Sequence, residues 1–514
     1  MAFELKEYKT SEGEIILYVG NINLVKLEAL SKGTGDIWHS SFEQGYKNAF
    51  PELIYQTATF FWYLNDFDDL DESVSWRINP NAFAVRKSVW IIANGFDQDY
   101  ENPQMQALDF GFRCVRHFGG VPLYVKGLFS DTNKERVIIS QNDRHLFFRK
   151  NFKIKHAIFM IYRLSFLKIS EWKTLRNIKT KYATRSYSTF IPPRELNEIQ
   201  GNPSVSYIIP TMLRQEYTLQ LLDDLSSQTY KPNQVVVVDA TPENQRNEKL
   251  YHLKDYPFEL KIIWQKSKGS CRARNEAIAL CTGEYVVFGD DDIRVPSNFI
   301  ANHIKFLQTY NAGACNGLDI RADNHTDNLS DLEIKLKSLD ENKFRAGCAL
   351  MFSNANSCVK REFVDKLKGN DVNFDGGYGE DSDFGMSLTK IGVTVLANPY
   401  SVNLHLKPPS GGYRFWGTQS KIVGKKRKNQ PWELDTPVKW VRPVPSPTIM
   451  YGIMKQFTPE QLVEYKHKHF SYFLLEGNKL AFFYRLIRLP YKNLQFKKSM
   501  FYAKKLLDLG IRYK

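Results

Sequence analysis

The sequence predicts an α/β fold. Three observations carry this. Residues 202–409 alternate short apolar strands with helical stretches, as a mostly parallel sheet requires. Parts of residues 1–195 repeat parts of that segment at a constant offset. Residues 411–514 lack the alternation and read as basic, aromatic-rich helices. The expected domains are therefore 1–195, 196–410 and 411–514, with a linker in the Ser-, Thr-, Pro- and Asn-rich stretch 182–203.

The strands follow in order. Residues 204–209 (SVSYII) form an apolar run closed by Pro210. Residues 214–228 carry Leu219, Leu222 and Leu225 at helical spacing. Residues 234–238 (QVVVV) are of buried-strand type and end at Asp239. A further strand covers 260–264, a helix 271–281, and a strand 284–288 that ends at Gly289. Ligands of such sheets sit beyond the carboxyl ends of the strands, where Asp239 and 290–292 (DDD) fall.

Composition narrows the function classes. The chain has 514 residues, more than one ordinary core holds, and its 43% hydrophobic and 25% charged residues are globular values. Six cysteines without a CxxC pair exclude a disulfide scaffold, argue against a zinc module and fit a reducing, cytoplasmic compartment. The net charge of +14 is concentrated: residues 411–514 hold 21 Lys+Arg against 6 Asp+Glu, and the rest is near neutral. A nucleic-acid partner is not expected on that distribution. The start mixes charges and has no apolar signal-like core, and basic residues interrupt the most apolar runs, near 156–167 and 470–490. A soluble protein is expected, peripheral to an anionic membrane surface through 421–514, where the run 421–428 (KIVGKKRK) precedes aromatics interleaved with Arg485 and Arg488. Packing of those helices on the preceding domain is the competing expectation.

Three patterns carry chemistry. The acidic triplet 290–292 repels itself unless a cation sits within it, and a hard divalent ion suits carboxylates plus phosphate oxygens. Residues 268–275 (KGSCRARN) are a basic, Gly-containing turn into a helix, suited to a diphosphate. Residues 376–385 (GGYGEDSDFG) place carboxylates at a helix start after permissive glycines.

With these motifs in order, the stretch 207–296 resembles a family 2 glycosyltransferase of the GT-A fold, and 376–385 resembles the ED motif of inverting members, among them β4-galactosyltransferase-like and chondroitin-polymerase-like enzymes. The resemblance implies an inverting, metal-dependent transferase that moves a hexosyl or N-acetylhexosaminyl group. The donor is a nucleotide-diphospho sugar, expected to be a UDP-sugar, and the acceptor a saccharide or polyprenyl-linked saccharide in cell-surface glycan synthesis. It implies Pro210, Thr211, Arg214, Asp239, Lys268, Arg274, Asn275, Asp290 and Asp291 at the nucleotide sugar. Asp290, Asp292 and His405 would hold Mn²⁺ or Mg²⁺. Asp381 would be the general base beside Glu380, and Asp383 and Gly379 would lie at the acceptor. Residues 407–412 are expected to be a loop over the donor phosphates. Ala240-Thr241 departs from the common pattern, which leaves the base less defined.

The repeat sets Val85, Gly95, Asp97 and Asp109-Phe110-Gly111 opposite Val359, Gly369, Asp371 and Asp383-Phe384-Gly385, an offset of 274. At that offset Gln106 and Ala107 stand opposite Glu380 and Asp381. Residues 1–195 are therefore expected to be a degenerate, non-catalytic transferase-like domain, and the acidic run 66–71 a surface loop. Two alternatives stay open: a glycan-binding scaffold with an inactive site, and a two-site polymerase.

Overall fold

The computed structural model describes residues 4–40, 50, 65–67, 69–130, 137–413, 429–475 and 481–514. The chain forms two compact units, one of Met1–Pro193, Arg345–Cys348 and Val463–Lys479, the other of Arg194–Phe344, Ala349–Leu462 and Leu480–Lys514. The basic run 421–428 lies outside the described residues.

The first unit contains β1 (Lys6–Lys9), β2 (Ile15–Val19), α1 (Leu24–Ser31), β3 (Ile37–His39), β4 (Glu72–Val74), β5 (Phe83–Arg86), α2 (Lys87–Ile92), α3 (Pro103–Arg113), β6 (Pro122–Val125), α4 (Gln141–Asn151), α5 (Ile154–Ser165) and α6 (Ile169–Lys181). Its sheet order is β1-β2-β5-β3-β6-β4. Asp66 is buried rather than in a surface loop, because Arg77 donates to it at 3.1 Å and Ser75 at 2.7 Å.

The second unit contains β7 (Val205–Thr211), α7 (Gln215–Ser226), β8 (Gln234–Asp239), β9 (Glu259–Trp264), α8 (Ser270–Ile278), β10 (Tyr285–Gly289), β11 (Ile293–Arg294), α9 (Phe299–Thr309), β12 (Ala314–Arg321), α10 (Leu329–Lys337), β13 (Asn356–Lys360), α11 (Arg361–Leu367), α12 (Glu380–Lys390), β14 (Val395–His405), α13 (Pro447–Gln456) and α15 (Ala481–Asp508); α14 (Pro459–Leu475) runs from this unit into the first. The sheet order is β11-β14-β12-β13-β10-β7-β8-β9. Strands β7 and β8 are buried at every position, as central parallel strands with both faces covered must be.

Five strands recur in both sheets. The order β2-β5-β3-β6-β4 matches β10-β13-β12-β14-β11, with the same sequence of antiparallel, antiparallel, parallel and antiparallel pairings. The last member of each set reaches its place from a different point in the chain. Among the described residues the first unit has no counterpart of the parallel strands β7, β8 and β9; a hairpin partner, β1, stands beside β2 instead.

The repeat also reaches the helices that follow. Lys150 and Asn151 end α4, and donate to Asp97 at 2.7 Å and Asp109 at 2.9 Å. Lys455 and Gln456 end α13, and donate to Asp371 at 3.0 Å and Asp383 at 2.6 Å; Lys455 also reaches Asp383 at 2.8 Å. Arg185 after α6 and Arg512 after α15 return to the same aspartates. Each repeated Asp pair therefore anchors a helical segment to α3 or α12 and the turn before it. Both oxygens of Asp383, expected at the acceptor, are taken by α13. Burial raises its pKa, with Lys455 opposing.

The two halves of α15 differ. Its second half packs with α13 and buries Phe496, Tyr502 and Leu506, while its first half exposes Phe483, Tyr484 and Ile487.

Cutting a buried carboxylate from its cation leaves an uncompensated charge, which costs about 3–5 kcal/mol. Lys455→Met is therefore expected to lower the second unit's stability by about that amount in urea unfolding, and Lys150→Met to cost the first unit less, because Arg185 stays on Asp97 and Asp109.

Candidate active site

The site forms where β7, β8 and β10 end. Residues 290–292 leave β10 directly, and the two-residue strand β11 then pairs with the end of β14, setting Ile293 opposite His405. That register brings His405 to the acidic triplet, and the Leu406 amide donates to the Asp292 carbonyl at 2.8 Å. From the other side α12 opens at Glu380, preceded by Gly379 in left-handed conformation at φ 105°. A side chain there would be strained, so glycine makes the turn that aims Glu380 and Asp381 inward.

A cleft of about 420 Å³ results. Of the residues expected at the site, Pro210, Arg214, Arg274, Asp290, Asp291, Asp292, Glu380, Asp381 and His405 line it. Lys407, Pro408, Gly411 and Gly412 also line it, so the loop after β14 does border the cleft. That loop is fastened by the Gly412 amide to the Met212 carbonyl at 2.7 Å. Any side chain at Gly411 or Gly412 would collide with Arg214.

Six expected residues do not line it, Asp383 and Gly379 among them. Thr211 is buried behind the lining and donates to Asp291 at 2.7 Å. Asp239 is fully buried and accepts from the Thr241 amide and the Tyr251 hydroxyl, both at 2.8 Å, so it holds the end of β8 together. Asn275 closes a turn instead of meeting a ligand: it donates to the carbonyls of Asn370 and Tyr513 and accepts from the Asn370 amide. Lys268 is exposed and does not line the cleft. The start of α8 is not open to a diphosphate through its Cys271 amide, which donates to Asp375 at 2.8 Å.

Charge is tightly matched. Arg214 donates to Asp291 at 3.1 Å and to Asp292 at 2.8 Å. Arg274 donates to Asp290 at 2.7 Å. Burial disfavours the charge on Arg274, and Asp290, Asp381 and Glu380 outweigh it and raise its pKa. Its Nε and Nη1 are buried with no hydrogen-bond partner. Burial raises the Asp291 carboxyl despite Arg214.

His405 lies between two carboxylates, with Nε2 3.4 Å from Asp292 and Nδ1 3.1 Å from Asp319. Burial opposes its protonation, but these carboxylates outweigh burial and raise its pKa to about 10. Asp319 escaped sequence reasoning. It is a single acid on β12, and only the parallel β12–β14 pairing brings it to His405. Asn354, in a loop before β13, escaped as well; it donates to Asp381 at 2.5 Å.

One ligand atom from each of Asp290, Asp292 and His405 lies within 4.8 Å of the others. Two carboxylates and an imidazole oriented by a third carboxylate, Asp319, fit a divalent cation.

Residues 206–367 match the family model described as glycosyl transferase family 2. That segment is similar to the family 2 glycosyl transferases. The relatives include the putative colanic acid biosynthesis glycosyl transferase WcaA of Escherichia coli K12, 31% identical over 96 residues, which are 18% of this chain and 34% of that protein. Glycosyltransferase GlyA of Streptococcus pneumoniae serotype 4 is 26% identical over 108 residues, 21% of this chain and 16% of that protein. The matches thus span about a third and a sixth of these relatives' lengths. Among solved structures, the mannosyltransferase PcManGT of Pyrobaculum calidifontis, in complex with GDP-Man and Mn²⁺, aligns over 61% of this chain and 89% of its own at 19% identity and TM-score 0.34.

Because Asp292 and Asp319 raise the His405 pKa to about 10, a cation that takes its imidazole competes with a proton. Mn²⁺ affinity should therefore rise by about tenfold per pH unit between pH 6 and 9; calorimetric titration across that range measures it, and a flat profile would remove His405 from the ligand set. Asp319→Asn removes one of the two carboxylates that hold the His405 proton, so it should flatten the rise of Mn²⁺ affinity with pH, read in the same titration.

Proposed function

We propose that the second unit transfers a sugar, with inversion, from a nucleotide-diphospho sugar to a saccharide or lipid-linked saccharide hydroxyl. The observation that carries this is one cleft lined by Asp381, by Asp290, Asp292 and His405, and by Arg274, two of whose nitrogens are buried without a hydrogen-bond partner among the described residues. Those nitrogens call for an anion, and a diphosphate supplies one.

Each residue then has a task. Arg274 and Arg214 bind the diphosphate and orient it. Asp290, Asp292 and His405 would hold Mn²⁺, which when bound supplies Lewis-acid stabilisation of the departing nucleoside diphosphate. Asp381 accepts the proton of the acceptor hydroxyl as its oxygen attacks the anomeric carbon. Asn354 holds one Asp381 oxygen, which keeps the carboxylate in position. The loop of Lys407, Pro408, Gly411 and Gly412 limits water at the donor.

A UDP-sugar donor is the favoured case, with a hexosyl or N-acetylhexosaminyl group. The acceptor belongs to cell-surface glycan assembly on the cytoplasmic face, and the exposed half of α15, with Arg485 and Arg488, would rest on an anionic bilayer. No described helix is long and apolar enough to cross a membrane. The first unit is taken as non-catalytic. Gln106 at the position of Glu380 donates to the Tyr100 carbonyl, and Ala107 at the position of Asp381 carries no acid. This weighs against a two-site polymerase, and the unpartnered Arg274 nitrogens weigh against a dead scaffold.

The test is nucleoside-diphosphate release from UDP-, GDP- and dTDP-sugars with Mn²⁺ or EDTA. One donor should turn over with metal only, and Asp292→Asn should abolish it. With an acceptor present, Asp381→Asn should lower kcat by about 10²–10⁴-fold with donor KM nearly unchanged. Absence of both turnover and metal-dependent nucleotide binding would overturn the proposal.

A further inference from the structure

The turn joining α5 to α6 in the first unit exposes an unusual run of apolar side chains. Leu167 is 91% exposed, Ile169 70% and Phe166 54%, with Leu164 and Tyr162 also exposed on the last turns of α5. Soluble surfaces carry such residues singly; five within eight positions form a patch that water disfavours. The turn is held in shape. Trp172 donates from Nε1 to the Phe166 carbonyl at 2.9 Å, and the two rings meet edge to face at 5.6 Å. The apolar side chains are therefore presented by a fastened structure.

The surrounding charge has one sign. Residues 153–181 contain eight Lys and Arg and a single acid, Glu171. That acid is buried and engaged by Arg144 and His145. Lys168, Lys173 and Arg176 are exposed around the apolar tip. The duplicated counterpart has the same character: Leu475 ends α14 exposed, and α15 begins with exposed Phe483 and Ile487 flanking Arg485 and Arg488. Both copies of the anchored helical segment thus carry an exposed apolar and basic element.

We propose that the α5–α6 turn is a membrane-docking element that inserts Phe166, Leu167 and Ile169 among the lipids of an anionic bilayer, with Lys168, Lys173 and Arg176 at the headgroups. An aliphatic tip inside a ring of cations suits the boundary between acyl chains and negative headgroups. A second copy of this chain fits less well, because it would set the same cationic ring against itself. A nucleic acid would leave the aliphatic tip without a partner. This contact uses residues far in sequence from α15 and stands independently of the transferase activity.

The test is flotation of the full-length protein with vesicles of phosphatidylcholine alone and with 30% phosphatidylglycerol, on the order of composition that gives a clearly negative surface. The wild type should float with the anionic vesicles and lose most of that binding at high salt. Leu167→Glu with Ile169→Glu should lower the bound fraction by about tenfold, while the circular dichroism spectrum and Mn²⁺ titration stay as in the wild type. Phe483→Glu with Ile487→Glu, tested separately, reports on α15. The proposal is overturned if the wild type ignores anionic vesicles, or if only the α15 pair affects flotation. It also fails if the α5–α6 pair abolishes a dimer in sedimentation velocity without changing flotation.

Discussion

Four carboxylates, Asp290, Asp291, Asp292 and Asp319, converge on one partly buried cleft, and their repulsion must be compensated where they stand. Arg214, Arg274 and His405 supply that compensation. Each comes from a different element: the loop after β7, the helix α8 and the last residue of β14. The ends of three secondary-structure elements are thereby tied to one electrostatic centre. The register of β11 on β14 and the fastening of the Gly411–Gly412 loop on Arg214 both serve the same placement. The arrangement also stores unmet capacity, since Arg274 keeps two nitrogens buried without a hydrogen-bond partner among the described residues.

The duplication separates two roles that one sheet otherwise combines. Five strands and a following helical segment occur twice, locked each time by a pair of aspartates against a helix-terminal lysine and amide. Only the second copy has the three additional parallel strands whose ends supply Asp239 and, through β10, the acidic triplet. The first copy keeps the scaffold and its anchored helices.

Much of this was legible in the residues. The alternation of apolar runs and helical spacing marked β7, β8, β9 and β10, because buried parallel strands need uninterrupted apolar sequence. The triplet 290–292, Glu380, Asp381 and His405 were recognisable because each stands in an ordered series of motifs. The constant offset between the two parts was visible for the same reason: Asp109 and Asp383 repeat with their neighbours. Asn275, Asp239 and Asp383 are engaged by hydrogen bonds within the chain, which a sequence does not show, since it does not say whether a polar side chain faces a cleft or satisfies a buried turn.

The sequence by itself determined the fold class, the family 2 segment, the acidic residues at the strand ends and the basic character of the C-terminal part. These depend on local pattern and on residue type, which are one-dimensional. Tertiary structure alone decided that Asp319 orients His405, that Asn354 holds Asp381 and that Lys455 ties α13 to Asp371 and Asp383. It alone decided that the α5–α6 turn carries its apolar side chains outward. Those outcomes depend on strand register and on which surfaces are left uncovered after packing, and neither is written in the spacing of residues along the chain.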